Sequence, residues 1–421
     1  VWEVTLMSNK IYLIDVTNRD GVQTAKLGLS KLEKTMINIY LNEMGVFQSE
    51  FGFPTTRHEK NYLAANLELA KMGVLKPIHL GGWIRAIVED VETTFKRVPS
   101  IKHLNLSIST SEQMITGKFQ GKKSKSSVIK DMAAAIKAAR KHGAETIGAN
   151  AEDASRTDID YLIEFGIAAK EAGADRIRYC DTLGYDNPFT IYETAKTLAE
   201  KIKMPIELHC HGDLGMAVAN SIAGAKGVID GCCDAYINTT INGIGERAGN
   251  ADLIAVILAL TKSKGFAEKY KLAGDIKLKL ASKIAKFTSY AFDVPIPINQ
   301  PGLGANAFAH ASGIHADGVL KDPTNYELYG YEELGRGEPI SVETGREIIA
   351  GQYSGISGFS HVMGKLDVSF KNKSRAEADE ILELVRYANV ESHKPLVQDE
   401  LKFIADYPQI AKQLLTMTPL T

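Results

Sequence analysis

Several things are scarce in this sequence, and each scarcity removes a class of protein. No apolar run approaches the length that crosses a bilayer, which argues against a helical membrane protein. Lysine plus arginine number 49 and aspartate plus glutamate 51, leaving a formal net charge of −2. So balanced a chain has no global field to draw it to nucleic acid or an anionic membrane, and neither partner is expected. The four cysteines, Cys180, Cys210, Cys232 and Cys233, show no CxxC spacing. A zinc ribbon or a disulfide framework is therefore not expected, and buried free thiols in a reducing compartment are. The opening VWEVTLMSNK lacks a basic region followed by an apolar stretch, so no secretory signal is read and the expected compartment is the cytoplasm.

What is present is a regular alternation. The 421 residues, 44% hydrophobic and 24% charged, suit one large domain with a smaller companion. Strand-like runs begin at Ile11 (IYLIDV), Val46 (VFQSEF), Pro77 (PIHLGGW), His103 (HLNLSIS), Glu145 (ETIGANA), Arg176 (RIRYCD), Pro205 (PIELHCH) and Ala235 (AYINTTI). Amphipathic helical stretches separate them, such as SKLEKTMINIYLNEMG and TDIDYLIEFGIAAKEAG, several closing on glycine. Eight strand–helix repeats predict an α/β fold of the (β/α)8 TIM-barrel type. A doubly wound open sheet has the same element order and is the alternative, although no GxGxxG follows the first strand. The repeat fades near Lys262, and a proline-rich link, DVPIPINQPG, follows from Asp293. The expected organisation is a barrel over residues 9–290, then a linker and smaller, mainly helical C-terminal subdomains over 291–421. The basic stretch GKFQGKKSKSS, Gly117 to Ser127, reads as a solvated loop.

Function in a parallel barrel collects at the C-terminal strand ends. Here every predicted strand end is polar: Asp15, Arg19 and Asp20; Glu50; Arg85; Ser109 and Thr110; Asn150, Glu152 and Arg156; Asp181 and Thr182; His209, His211 and Asp213; Asn238 and Asn242. A strand places positions i and i+2 on one face, so His209 and His211 point into the barrel together, with Cys210 toward the helices. Two neutral imidazoles so placed can share a metal ion with a carboxylate, here Asp15 or Asp20. Such a site leaves positions open for a substrate with adjacent carbonyl and carboxylate oxygens. Arg19, beside Asp20, can stabilise charge developing on the bound carbonyl oxygen.

These residues resemble a known family. DVTNRDGVQ is similar to the D-x-T-L-R-D-G-x-Q signature of the DRE-TIM metallolyases. In order along the chain, SEFGFP, AEDASRTD, CDTLGYDNP, HCHGDLGMAVAN, INGIGERAGNADL and HASGIHADGVLKDPTNYE resemble further blocks of its Claisen-condensing synthase branch. The resemblance implies a divalent metal ion, Mn²⁺ first with Mg²⁺, Co²⁺ or Zn²⁺ also compatible, on Asp20, His209 and His211. It implies Arg19 as the catalytic arginine and Glu152, His315 and Tyr326 around acetyl-CoA activation. It implies Arg85, Arg156, Thr182 and Gln23 in binding a 2-oxo acid, and a homodimer in which the linker subdomain of one copy reaches the other's barrel. Asn18 stands where the family usually has Leu, Val22 where Glu is common, and GQYSGISG from Gly351 where a more basic pattern is usual. The sequence also has no stretch matching the long regulatory domain of feedback-controlled isopropylmalate synthases. The versions DVTNRDGVQT, VFQSEFGFP and NGIGERAGN look most like the Re-citrate synthase group, which implies oxaloacetate as the 2-oxo acid. Homocitrate synthases, using 2-oxoglutarate, are the next resemblance, then isopropylmalate and citramalate synthases. The lyase branch carries a cysteine in its glycine loop, and GIGERAG has none.

Overall fold

The computed structural model describes residues 10–266, 269–337, 374–394 and 396–417. Eight strands form where the apolar runs predicted them: β1 (Lys10–Asp15), β2 (Gln48–Gly52), β3 (His79–Arg85), β4 (His103–Ser109), β5 (Thr146–Glu152), β6 (Arg176–Asp181), β7 (Ile206–Cys210) and β8 (Ala235–Thr239). All pair in parallel in sequence order, and β1 pairs with both β8 and β2. The contact of Ile14 with Gln48 and of Asp15 with Ser49 closes the barrel and excludes the open sheet. A two-residue ninth strand, β9 (Lys271–Leu272), adds to the start of β1 and was not predicted.

Helices α1 (Lys31–Met44), α2 (Lys60–Lys71), α3 (Val88–Arg97), α4 (Glu112–Gly117), α5 (Lys125–Lys141), α6 (Ile159–Ala172), α7 (Pro188–Ile202), α8 (Ala217–Asp230) and α9 (Leu253–Lys262) fill the connections. Their ends follow local chemistry. Ser30 and Glu33 close a capping box on α1, which satisfies two backbone donors that a helix start leaves free. Gly45 ends α1 at φ 89°, and a Cβ there would lie 2.3 Å from the Asp275 carbonyl oxygen. Only glycine meets both conditions. The loop expected over Gly117 to Ser127 is shorter, spanning residues 118–124 between α4 and α5. Cys180 and Cys210 are buried free thiols as expected, whereas Cys232 is exposed. It lies in the turn between α8 and β8, which the apolar residues around it did not reveal.

The lumen departs from the apolar filling usual in such barrels. Its floor is aromatic, with Tyr12 stacked on Tyr236 at 4.6 Å between ring centres and Phe47 and His79 beside them. Above the floor the inward positions carry Gln48, Asn105, Arg176 and Glu207, then Glu50, Arg178, His209 and Asn238, all buried.

After the barrel, α10 (Ala281–Phe292) packs on α1, and α11 (Gly313–Lys321) follows the proline-rich link. Then α12 (Arg375–Ser392), α13 (Gln398–Asp406) and α14 (Pro408–Leu415) return to the barrel's first helices. Tyr40 of α1 donates to Asp399 at 2.8 Å, and Lys394 Nζ caps α10 through the carbonyls of Tyr290 and Ala291 at 2.6 and 2.8 Å. Among the described residues, no helix is long and apolar enough to cross a membrane. The GQYSGISG stretch lies outside the described residues.

Candidate metal centre and active site

The chain beyond β1 folds straight back. The Val16 carbonyl accepts the amides of Arg19 and Asp20 at 3.0 and 2.7 Å, and this tight turn carries both side chains over the lumen. From β7, His209 and His211 enter the same space, rings 4.9 Å apart and nearly perpendicular. Asp20 Oδ2 lies 3.0 Å from His209 Nε2 and 3.8 Å from His211 Nε2. These three are the one group of potential metal ligands among the described residues, their donor atoms all within 4.8 Å of one another. Asp15, the other candidate carboxylate, is held elsewhere, accepting the Thr17 amide at 2.9 Å with Thr239 Oγ1 at 3.4 Å. Burial pushes its pKa up to about 7, against the pull of those hydrogen bonds.

The charge states suit a divalent cation. Burial opposes ionisation of Asp20, but Arg19 and the two histidines outweigh it and hold the carboxyl well below its usual range. Burial, with His209 alongside, pushes His211 down to about 3, so its imidazole is neutral near pH 7. An anionic oxygen and two imidazole nitrogens are a donor set for Mn²⁺, Co²⁺, Zn²⁺ or Mg²⁺, and the residues present fit such an ion. Asn250 was not singled out from the sequence. It is buried, neither atom of its amide has a partner among the described residues, and its backbone bridges to His211. Gly249 before it sits at φ 85°, where a Cβ would lie 2.0 Å from the Gly243 carbonyl oxygen. The signal was present in the glycines bracketing NGIGERAGN, whose backbone needs reveal themselves only in three dimensions.

Arg19 is fixed on two sides. Its Nε donates to Glu50 Oε2 at 2.5 Å, and its Nη1 to Asp20 Oδ2 at 3.1 Å and Gln23 Oε1 at 3.4 Å. Burial raises the Glu50 pKa, but Arg178 and Arg19 together bring it to about 2. Gln23 thus joins Arg19, Asp20, His209 and His211 in one cluster.

The other expected residues gather in separate groups. Glu152 and Arg85 line a cavity of about 230 Å³ with Trp83, Ser107, Ser109 and Lys118. Glu152 accepts from Ser109 and binds Lys118 Nζ at 2.6 and 2.8 Å. Lys118 lies in the stretch read as a solvated loop, and its engagement with Glu152 was not foreseen. Arg85 turns onto the start of α3, donating to Asp90 at 2.7 and 2.9 Å, with 67% of its side chain exposed. Arg156 and Thr182 meet through Asp153, whose carboxylate holds Arg156 and whose amide donates to Thr182 Oγ1 at 2.9 Å. The rings of His315 and Tyr326 lie 4.2 Å apart, tilted by 30°, on exposed surface after the barrel. Among the described residues, their ring contacts are with each other and, for His315, with His310.

A closed parallel barrel whose C-terminal mouth holds an aspartate and two histidines defines a TIM-barrel protein with a candidate metal centre. The chain belongs to the DRE-TIM metallolyases: the HMGL-like family model matches residues 10–286, and the homocitrate synthase post-HMGL domain-like model matches residues 303–389. It is 73% identical over 411 residues to a citrate (Re)-synthase from Dehalococcoides mccartyi, covering 98% of this chain and 99% of that one. It is 36% identical to a 2-isopropylmalate synthase from Caldanaerobacter subterraneus subsp. tengcongensis, over 94% of each chain. It is 31% identical to homocitrate synthase 1 of a Nostoc species, over 93% of this chain and 96% of that one. The fold is shared with a hydroxymethylglutaryl-CoA lyase from Pseudomonas aeruginosa, with a TM-score of 0.56 at 15% identity over 74% of this chain and 98% of the other.

Proposed function

We propose that this protein is an acyltransferase of the citrate (Re)-synthase type, condensing acetyl-CoA with oxaloacetate and water to citrate and free CoA. The observation that carries the chemistry is the buried cluster of Asp20, His209 and His211 with Arg19 hydrogen-bonded at its edge. Oxaloacetate as the acceptor is supported by the 73% identity to a citrate (Re)-synthase over nearly the whole of both chains.

Asp20, His209 and His211 would hold a divalent ion, which would supply Lewis-acid polarisation of a 2-oxo acid carbonyl. Arg19, already aligned by Glu50, faces the negative charge that develops when that carbonyl is attacked. Glu152, with Lys118 and Ser109 holding it, is assigned to acetyl-CoA activation together with His315 and Tyr326. Because the last two lie on exposed surface of their own chain, this reading takes them from a second copy, in a homodimer. Arg85, Arg156, Thr182 and Gln23 are assigned to the 2-oxo acid. Mn²⁺ is the expected ion and the cytoplasm the expected compartment. Residues 9–290 are read as the catalytic domain and 291–421 as linker and smaller subdomains.

The test is release of free thiol from acetyl-CoA by the purified protein with oxaloacetate, 2-oxoglutarate, 2-oxoisovalerate or pyruvate, each with Mn²⁺ and with a chelator. Metal-dependent turnover preferring oxaloacetate is expected. A preference for 2-oxoglutarate would replace the acceptor and leave the mechanism standing. No turnover with any acid would refute the synthase reading.

A further inference from the structure

The polar contacts under the cluster close on themselves. Asp20 Oδ2 accepts from Arg19 Nη1 at 3.1 Å, and Arg19 Nε donates to Glu50 Oε2 at 2.5 Å. Glu50 Oε1 accepts from Arg178 Nη2 at 2.7 Å, and Arg178 Nε donates to Glu207 Oε1 at 2.6 Å. The same Glu207 oxygen accepts from Asn238 Nδ2 at 2.7 Å. Asn238 Oδ1 lies 3.1 Å from His209 Nδ1, and His209 Nε2 returns to Asp20 Oδ2 at 3.0 Å. The ring runs through β2, β6, β7, β8 and the turn after β1, and all its members are buried.

Donor and acceptor chemistry gives this ring a direction. Glu207, flanked by Arg176 and Arg178, offers only acceptors, so the Asn238 amide must turn its NH₂ toward it. The Asn238 oxygen is then what faces His209. An amide oxygen only accepts, so His209 Nδ1 carries a hydrogen toward Asn238, and Nε2 is the nitrogen turned toward Asp20. His211 has no such support, because its buried Nδ1 has no partner among the described residues. The two histidines are therefore unequal: among the described residues, a side chain holds Nδ1 of His209 and none holds that of His211.

We propose that Asn238 is a positioning residue for the metal centre, fixing the ligating nitrogen of His209, and that the Arg178–Glu207 pair fixes Asn238. The placement of Arg19 and the readiness of His209 are thereby two ends of one buried hydrogen-bonded ring. This rests on the metal reading of the cluster.

The test is Mn²⁺ binding to the purified, metal-stripped full chain, followed by the electron paramagnetic resonance signal of free Mn²⁺. N238L removes the acceptor at similar size and should weaken Mn²⁺ binding about 10–100-fold while leaving the KM for acetyl-CoA unchanged at saturating metal. N238D keeps an oxygen acceptor toward His209 at the same size and, sharing a proton with the Glu207 carboxylate beside it, a donor between the two positions; it should hold Mn²⁺ affinity within about threefold of the parent. If N238L does not fold, N238A, which carries no acceptor and leaves space instead of overfilling it, gives the same reading. Parent-like Mn²⁺ affinity in N238L, or an equal loss in a folded N238D, overturns the positioning role alone. No Mn²⁺ binding by the parent overturns the metal centre and this inference with it.

Discussion

Replacing Arg178 by methionine tests whether the lumen is held by balanced charge. Arg178 is 1% exposed and bonds Glu50 at 2.7 Å and Glu207 at 2.6 Å. The lumen and mouth hold Arg19, Arg176 and Arg178 against Asp20, Glu50 and Glu207, three charges of each sign. Without Arg178, Glu50 keeps Arg19 and Glu207 keeps Arg176, but one negative charge is left uncompensated in a buried site. Breaking a buried pair in this way costs about 3–5 kcal/mol. An unfolding entropy of about 2.1 cal/mol/K per residue gives roughly 0.9 kcal/mol/K for a chain of this size, so Tm should fall by about 3–6 °C. Differential scanning calorimetry in chelator avoids a contribution from bound metal. The deficit should be largest at pH 8 and shrink on acidification. An unpaired buried carboxyl has a folded pKa above its unfolded value, so its folded form is favoured at low pH and loses stability as pH rises through the folded pKa. R178M/E207Q, which removes the matching charge, should recover at least about half the loss. A Tm within about 1 °C of the parent at pH 8, or a double variant melting below R178M, would refute the charge-balance argument.

Three further outcomes are expected. His79 and His103 share a hydrogen bond of 3.1 Å at the barrel floor, and burial with the neighbouring His79 pushes His103 down to about 4. The unfolded imidazole titrates near 6.5, so this contribution is intact above that pH and is lost as pH falls toward 4, by up to about 3 kcal/mol; H103Q should flatten the decline of Tm over that window. G249A forces a side chain into a left-handed backbone 2.0 Å from the Gly243 carbonyl oxygen; it should cost about 1–3 kcal/mol by thermal melting and weaken Mn²⁺ binding measured by calorimetry. R19K keeps the charge but not the fork that meets Glu50 and Asp20 together; kcat should fall about 10²–10³-fold with Mn²⁺ affinity little changed, and an undiminished kcat would remove Arg19 from the mechanism.

The strands were legible because a parallel barrel buries both faces of each, so they stand out as short apolar runs between amphipathic helices. Closure was not legible, since it depends on β1 meeting β2 as well as β8. The histidines could be read from strand alternation alone. The carboxylate could not, because Asp15 and Asp20 differ by a turn whose shape depends on which amides reach the Val16 carbonyl. The ring around Arg178 also escaped notice, joining Glu50 to Arg178 across 128 residues. Its trace was nonetheless visible in RIRYCD and IELHCH, where charges alternate inside otherwise buried strands. Such charges either face water or face one another, and in a closed lumen only the second is open to them.

The return of α12–α14 to α1 and α2 bears on how this chain is made. Lys31 and Asn61 both donate to the carbonyl of Thr416, across 385 and 355 residues, and Tyr40 reaches Asp399 across 359. A ribosome exposes α1 and α2 long before it exposes the helices that cover them. Their outer apolar faces must wait through the synthesis of some 350 residues at about 5–20 residues per second, tens of seconds in which a chaperone or a second nascent chain could occupy the same surface.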